Sequence, residues 1–218
     1  VSSELIDHSV SLLKSANVDL LLLGGDFIWL PDRDVIERLY PIRNPRFLRD
    51  PEDFSVCAEI FSTVADLSLQ LKPKDGIYAV LGNHDHWTDP DACTKSFADK
   101  NIRVLLNEAV EIKRADEKLR LIGVDDYWTG IPRLPNLGPR TKGKDARVLL
   151  AHNPDYVSAL LKGAPPEIDL TLSGHTHGGQ IKLPFFGALH CNIEDSRFRE
   201  GFYRDKGVTS YTSRGIGV

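Results

Sequence analysis

The chain has no methionine, only three cysteines, no excess of basic residues and no long apolar run. Each shortage closes off a class of protein. Cys57, Cys93 and Cys191 lie far apart and are odd in number, which excludes a disulfide framework and favours free, buried thiols in a reducing compartment. No stretch approaches the roughly 18 consecutive apolar residues of a membrane-spanning helix, and no signal-peptide pattern opens the chain. With Val1 first and no methionine anywhere, a natural amino terminus is expected upstream, and a cytoplasmic or membrane-associated location is expected. The 27 basic residues are outnumbered by 31 acidic ones, for a formal net charge of −4, so there is no global field to gather nucleic acid, which is not expected as a partner. Internal repeats, low-complexity tracts and domain linkers are also missing.

What remains is an ordinary globular composition, with 41% hydrophobic and 27% charged residues over 218 positions. It is read as one domain over 1–218. An apolar run at 19–23 and shorter, mainly apolar stretches at 77–81, 147–150 and 168–172 read as buried strands. Helical periodicity appears at 2–14, 52–71, 91–100 and 154–161, and further strands are expected at 103–106, 110–113, 119–124 and 208–212. This alternation makes the fold α/β. The stretch 27–50 carries Pro31, Pro41, Pro45, five arginines and the aromatics Phe27, Trp29, Tyr40 and Phe47. So long an interruption between strand and helix is expected to be a lid, or else a surface excursion whose arginines are offset by nearby acids.

Four of the buried runs are followed at once by chemically loaded residues. These are Gly24-Gly25-Asp26, then Gly82-Asn83-His84-Asp85, then Ala151-His152-Asn153-Pro154, and finally Ser173-Gly174-His175-Thr176-His177-Gly178-Gly179-Gln180. Five of the seven histidines (His84, His86, His152, His175 and His177) fall in or beside them, whereas solvated surface histidines would scatter. Imidazole, carboxylate and amide oxygen together suit Zn, Fe, Mn or Co, and the lack of thiolates argues against a structural zinc site. Open α/β sheets bind ligands at the carboxyl ends of their strands, where all four segments fall. A carboxylate such as Asp26 could bridge two ions that together clamp a phosphoryl group. Taken singly, Asp26 reads as a turn or helix-cap residue, and His175 and His177 as caps of a glycine-rich turn.

The order Gly-Asp, Gly-Asn-His-Asp, lone His and Gly-His-x-His resembles the calcineurin-like metallophosphoesterases over nearly the whole chain. The continuation through Gly178-Gly179-Gln180-Ile181-Lys182-Leu183-Pro184, with the late Ser213-Arg214-Gly215-Ile216-Gly217, is similar to a bacterial branch. That branch holds predicted phosphohydrolases and an enzyme that cleaves the pyrophosphate of UDP-diacylglucosamine. The resemblance implies two mixed β-sheets packed as a sandwich with helices outside. It further implies a hydrolase that cleaves a phosphoester, phosphodiester or pyrophosphate bond by attack of a metal-bound hydroxide, using two divalent ions (Mn, Fe or Zn).

On this resemblance Asp26 bridges the ions, Asn83, His152 and His175 complete one of them, and His177 serves the other. His84 stands beside the scissile phosphate as the acid for the leaving oxygen, and Asp85 orients its ring. The expected partner is a small phosphorylated or lipid-linked substrate, with peripheral membrane contact in the second case. Trp87 and Trp128 could wall an apolar group, although large aromatics are more often core; His86 lines the pocket or lies outside it. The family opens with a strand ending Asp-x-His, and none precedes Asp26 here. The first strand is therefore expected to be missing, and the chain as given to hold one ion well with poor activity. A catalytically impaired metal-binding scaffold and a phosphoprotein phosphatase are the alternative readings.

Overall fold

The computed structural model describes residues 3–28, 51–141, 143, 145–163, 167–179, 182–183, 187–188, 191–205 and 207–216. Of the expected lid only Phe27 and Ile28 are among them, and both belong to the core: Ile28 is buried and the Phe27 ring lies 4.9 Å from that of Phe97. The rest, 29–50, lies outside the described residues.

In chain order the elements are α1 (Ser3–Ala16), β1 (Leu21–Leu23), α2 (Pro51–Leu69), β2 (Ile77–Ala79), α3 (Asn83–Thr88), α4 (Pro90–Ala98), β3 (Arg103–Val104), β4 (Glu108–Arg114), β5 (Glu117–Gly123) and β6 (Asp145–Leu150). There follow α5 (Asp155–Leu161), β7 (Leu170–Ser173), β8 (Lys182–Leu183), β9 (Gly187–Ala188), a 3₁₀ turn (Ser196–Phe198), β10 (Gly201–Asp205) and β11 (Val208–Thr212). One sheet runs β1-β2-β3 and the other β10-β11-β7-β6-β5-β4, with β8 and β9 as a separate pair. The large sheet is mixed, as expected. The small one departs from expectation, since its described pairings are all parallel.

Val80 and Leu105, flanking the small sheet, share one buried cluster with Leu121 and Leu150 of the large one. That cluster makes the two sheets a sandwich. On the outer side of the small sheet α2 turns Cys57, Phe61 and Ala65 inward at helical spacing, and α4 adds Cys93 and Phe97. The sequence around α4 explains its start: Asp89 accepts from the Ala92 amide at 2.9 Å, and Pro90 occupies the first helical position, where its missing N–H costs nothing. Ile122, Val124 and Leu149 meet Tyr156 of α5 on the outer side of the large sheet. Helix, sheet, sheet, helix is the resulting layer order.

Three details go beyond the sequence reading. Asn83, directly after a buried stretch, starts a short helix, α3. The apolar face of α1 is largely exposed among the described residues, with Leu5 at 42% and Leu12 at 56%. Strand β10 went unforeseen because it is an edge strand with no inward apolar alternation, and its Phe202 is 77% exposed. No described helix is long and apolar enough to cross a membrane.

Candidate metal centre

The carboxyl ends of β1 and β2, parallel neighbours in one sheet, and of β6 and β7, parallel neighbours in the other, release the four motif loops. The loops meet because glycine lets their backbones touch. A Cβ on Gly25 would stand 2.6 Å from the Gly82 nitrogen and 2.7 Å from His152 Nδ1, and one on Gly82 would collide with Asp26 Oδ1. Beyond the glycines the chain turns sharply: Asp26, His175 and His177 have φ of 57°, 66° and 47°. Non-glycine residues seldom adopt this left-handed region, and such strain gathers at functional sites. His175 and His177 lie past the end of β7, so these turns, rather than the alternation of a strand, set where their rings point.

The convergence is tight. Asp26 Oδ2 lies 3.1 Å from His152 Nε2, which is 3.2 Å from His175 Nδ1. One ligand atom from each of Asp26, His152 and His175 falls within 4.8 Å of the others. Donor separations of this size match the edges of a coordination shell with arms of ~2.1 Å, which are ~3.0 Å in an octahedron and ~3.4 Å in a tetrahedron. The far ring nitrogens are held by main-chain carbonyls: His152 Nδ1 lies 2.7 Å from Gly24 O and His175 Nε2 lies 3.0 Å from Asn192 O. Such outer bonds fix tautomer and ring angle in metal-binding histidines. Asn83 is 2% exposed and its Oδ1 has no hydrogen-bond partner, an arrangement that costs stability unless something else takes the oxygen. The residues present therefore fit a divalent cation. His177 is outside the three-residue group, and its Nδ1 is also buried without a partner.

The charges are strongly coupled. Burial alone would raise the Asp26 carboxyl, but the charge and hydrogen bond of His152 outweigh it and hold the group at about 2. Burial likewise opposes a proton on His152, yet Asp26 lifts it to about 9. His175 is pressed down to about 4 by burial and by the His152 charge. Metal-free, the centre thus holds one proton that a cation must displace.

The Asp85 role expected from the resemblance is not what the structure shows. Its Oδ2 accepts from the Gly82 and Asp26 amides and its Oδ1 from the Phe27 amide, each at 2.8 Å. No bond joins it to the His84 ring among the described residues. Asp85 ties the end of β1 to the start of α3, and burial together with the Asp26 charge raises it to about 7. The His84 ring instead meets the edge of Trp87, with centroids 4.9 Å apart. Burial lowers the His84 pKa, the Asp26 charge working against it.

On the other flank Trp128 stands edge-on to His175 at 4.4 Å and is 44% exposed. Two acids went unnoticed in the sequence. Asp125 Oδ1 lies 2.9 Å from His86 Nε2, a close charge contact off the line of a straight hydrogen bond. Fully buried Asp126 accepts on Oδ2 from the Trp128 and Thr129 amides, and its Oδ1 has no hydrogen-bond partner among the described residues. The signal was available, since both acids follow β5 as Asp26 follows β1.

Because Gly82 has no room for a side chain, Gly82→Ala is expected to cost ~1–3 kcal/mol by overpacking and to weaken metal binding by displacing Asp26. Urea unfolding and a metal titration test this; wild-type values in both would show that the loops do not depend on their close approach.

The model of the family described as calcineurin-like phosphoesterase matches residues 3–179. Phosphodiesterase YaeI of Escherichia coli is 29% identical over 220 residues, covering 100% of this chain and 70% of the relative. The uncharacterized metallophosphoesterase YkuE of Bacillus subtilis is 33% identical over 157 residues, 71% of this chain and 54% of that protein. A solved structure of the Thermus thermophilus sulfate thiohydrolase SoxB, in complex with glycerol, superposes with a TM-score of 0.55 at 15% identity, over 98% of this chain and 37% of that one; this likeness concerns fold alone. With four motif loops meeting at one edge of the sandwich and the family's model spanning most of the sequence, the chain belongs to the calcineurin-like phosphoesterases.

Proposed function

We propose that the chain forms the active body of a metal-dependent hydrolase that acts on a small phosphodiester or pyrophosphate, free or lipid-linked. The observation that carries this reading is the meeting of Asp26, His152 and His175 within 4.8 Å, from three separate loops. Asn83, whose buried oxygen lacks a partner, would join them in holding one ion, and His177 with Asp26 would help to hold a second. Nitrogen and oxygen donors without thiolate favour Mn, Fe or Zn. Bound there, a divalent cation supplies Lewis acidity, neutralising phosphoryl oxygens and making water a nucleophile near neutral pH.

The protein's own groups do the rest. His84 presents a ring N–H toward the departing oxygen, a bond that a neutral imidazole can donate as well as a charged one. Trp87 holds that ring by its edge. Asp85, through its three amide bonds, fixes the backbone that carries both His84 and Asp26. Half-exposed Trp128 offers a flat apolar surface for a base, aryl or acyl group. The name of the Escherichia coli relative, a phosphodiesterase, agrees with a preference for diesters.

Hydrolysis of an aryl phosphodiester and an aryl phosphomonoester by the full-length protein with added Mn²⁺ tests the proposal. Diester turnover should exceed monoester turnover, vanish with chelator and return with metal. Activity on neither ester, nor on a pyrophosphate diester such as a nucleotide sugar, with Mn, Fe or Zn would leave only a metal-binding scaffold, and a strong preference for monoesters would point to a phosphatase.

A further inference from the structure

Strand β11 runs parallel to β7, and the ladder continues one step past their paired ends, with the Ser213 amide donating to Ser173 O at 2.8 Å. This carries the next residue, Arg214, to the loop of His175 and His177. A Cβ on Gly178 would lie 2.8 Å from both Cγ and Cδ of Arg214, so the arginine stem crosses Gly178, one residue past His177. Consecutive Cα atoms are ~3.8 Å apart, so the stem passes directly beside the loop that carries His177.

The Arg214 side chain is 71% exposed, and its Nε is 3.9 Å from Glu200 Oε2, beyond hydrogen-bond range. Arg199 approaches the same carboxylate at 4.0 Å, and its Nε is buried without a hydrogen-bond partner. Its main chain is fixed to the histidine loop, since the Thr176 hydroxyl donates to Arg199 O at 2.7 Å. Two guanidiniums around one carboxylate leave positive charge over at the rim. An exposed ion pair at such distances contributes too little to set where Arg214 sits. Stem packing on Gly178 and the β11 backbone set it instead, and the guanidinium makes no hydrogen bond among the described residues.

We propose that Arg214 is a substrate-binding residue whose guanidinium takes a non-bridging oxygen of the phosphate to be cleaved, with Arg199 as a supporting cation. This rests on the phosphohydrolase reading above. A planar fork of N–H donors matches two phosphate oxygens at once, which an ammonium group cannot do. An arginine on the loop that follows β11 thereby complements the centre built at the ends of β1, β2, β6 and β7.

Steady-state kinetics of the Mn²⁺-loaded full-length protein on bis(p-nitrophenyl) phosphate, with calorimetric binding of inorganic phosphate, provides the test. Arg214→Ala should raise KM and weaken phosphate binding roughly 10- to 100-fold, the range of a charge-assisted hydrogen bond, with kcat within about threefold and bound metal unchanged. Arg214→Lys should restore part of the loss. Unaltered KM and phosphate affinity in Arg214→Ala would overturn the proposal, as would loss of bound metal in both variants, which would make the residue structural. If the wild type hydrolyses no phosphoester the functional reading fails by itself, and the phosphate-binding comparison still decides the place of Arg214.

Discussion

His84→Ala is expected to keep its metal and to lose about 10²–10⁴ in kcat, the usual contribution of a positioned proton donor. Metal should stay because the substitution spares every donor atom of the three-residue group. It also spares the bond by which the His84 main chain supports the site, its amide donating to Asp26 Oδ1 at 2.9 Å. What disappears is the ring and its edge contact with Trp87, worth ~0.5–1.5 kcal/mol and too small to unfold the domain. Metal analysis beside single-turnover kinetics separates the outcomes. Near wild-type turnover would remove His84 from the chemistry, and loss of metal would place it in the ligand frame.

The same comparison assigns Asp85 a different kind of work. With both oxygens engaged by backbone amides and no surface exposed, its bonds go to the strand ends rather than to steering the neighbouring ring. Adjacency in Gly-Asn-His-Asp invited that inference. A helix explains why it fails: once α3 begins at Asn83, the side chains of residues 84 and 85 leave the axis about 100° apart, one toward the site and one back to the strand ends.

Much of the fold could be read because the strands that lead to the motif loops are short and mainly apolar, so that Leu22, Val148 and Leu172 announce themselves by composition and meet between the sheets. The motif loops were legible for the same reason, since each follows such a stretch. What stayed hidden depends on tertiary contacts. The turn at His175 and His177 is legible only as positive φ, and nothing in a Gly-His-x-His string says which ring faces His152. Asp126 follows β5 as Asp26 follows β1, yet no motif adjoins it, and its burial and orphaned oxygen appear only in the fold. Arg214 belongs to a segment noticed in the sequence, yet its relation to Gly178 requires β11 to lie beside β7. The helix α1 was legible from its periodicity, whereas what covers its apolar face was not, since periodicity reports a face and not its partner.

Asp26→Ala should abolish tight metal binding, with an affinity loss of at least about 10²-fold, beyond what loss of an outer-shell partner alone produces. The carboxylate is both a donor to the cation and the counter-charge for the protonated centre. In the metal-free wild type, Asp26 held at about 2 and His152 at about 9 are both charged at pH 7. The Asp26 part of that stabilisation is present above its ordinary 3.8 and drains away as pH falls through 2; the His152 part is present below 6.5 and is lost as pH rises through 9. A cation needs the neutral imidazole, so metal uptake at pH 7 should release about one proton from His152, while His175, already near 4, should release none. Without Asp26, burial dominates His152 and lowers its pKa, so the variant should release far less than one proton at any metal concentration that still saturates it. Calorimetric metal titrations in two buffers of different ionisation enthalpy count that proton directly. Uptake by the wild type without proton release would contradict the Asp26–His152 pairing, and undiminished affinity in Asp26→Ala would show that the cation sits elsewhere.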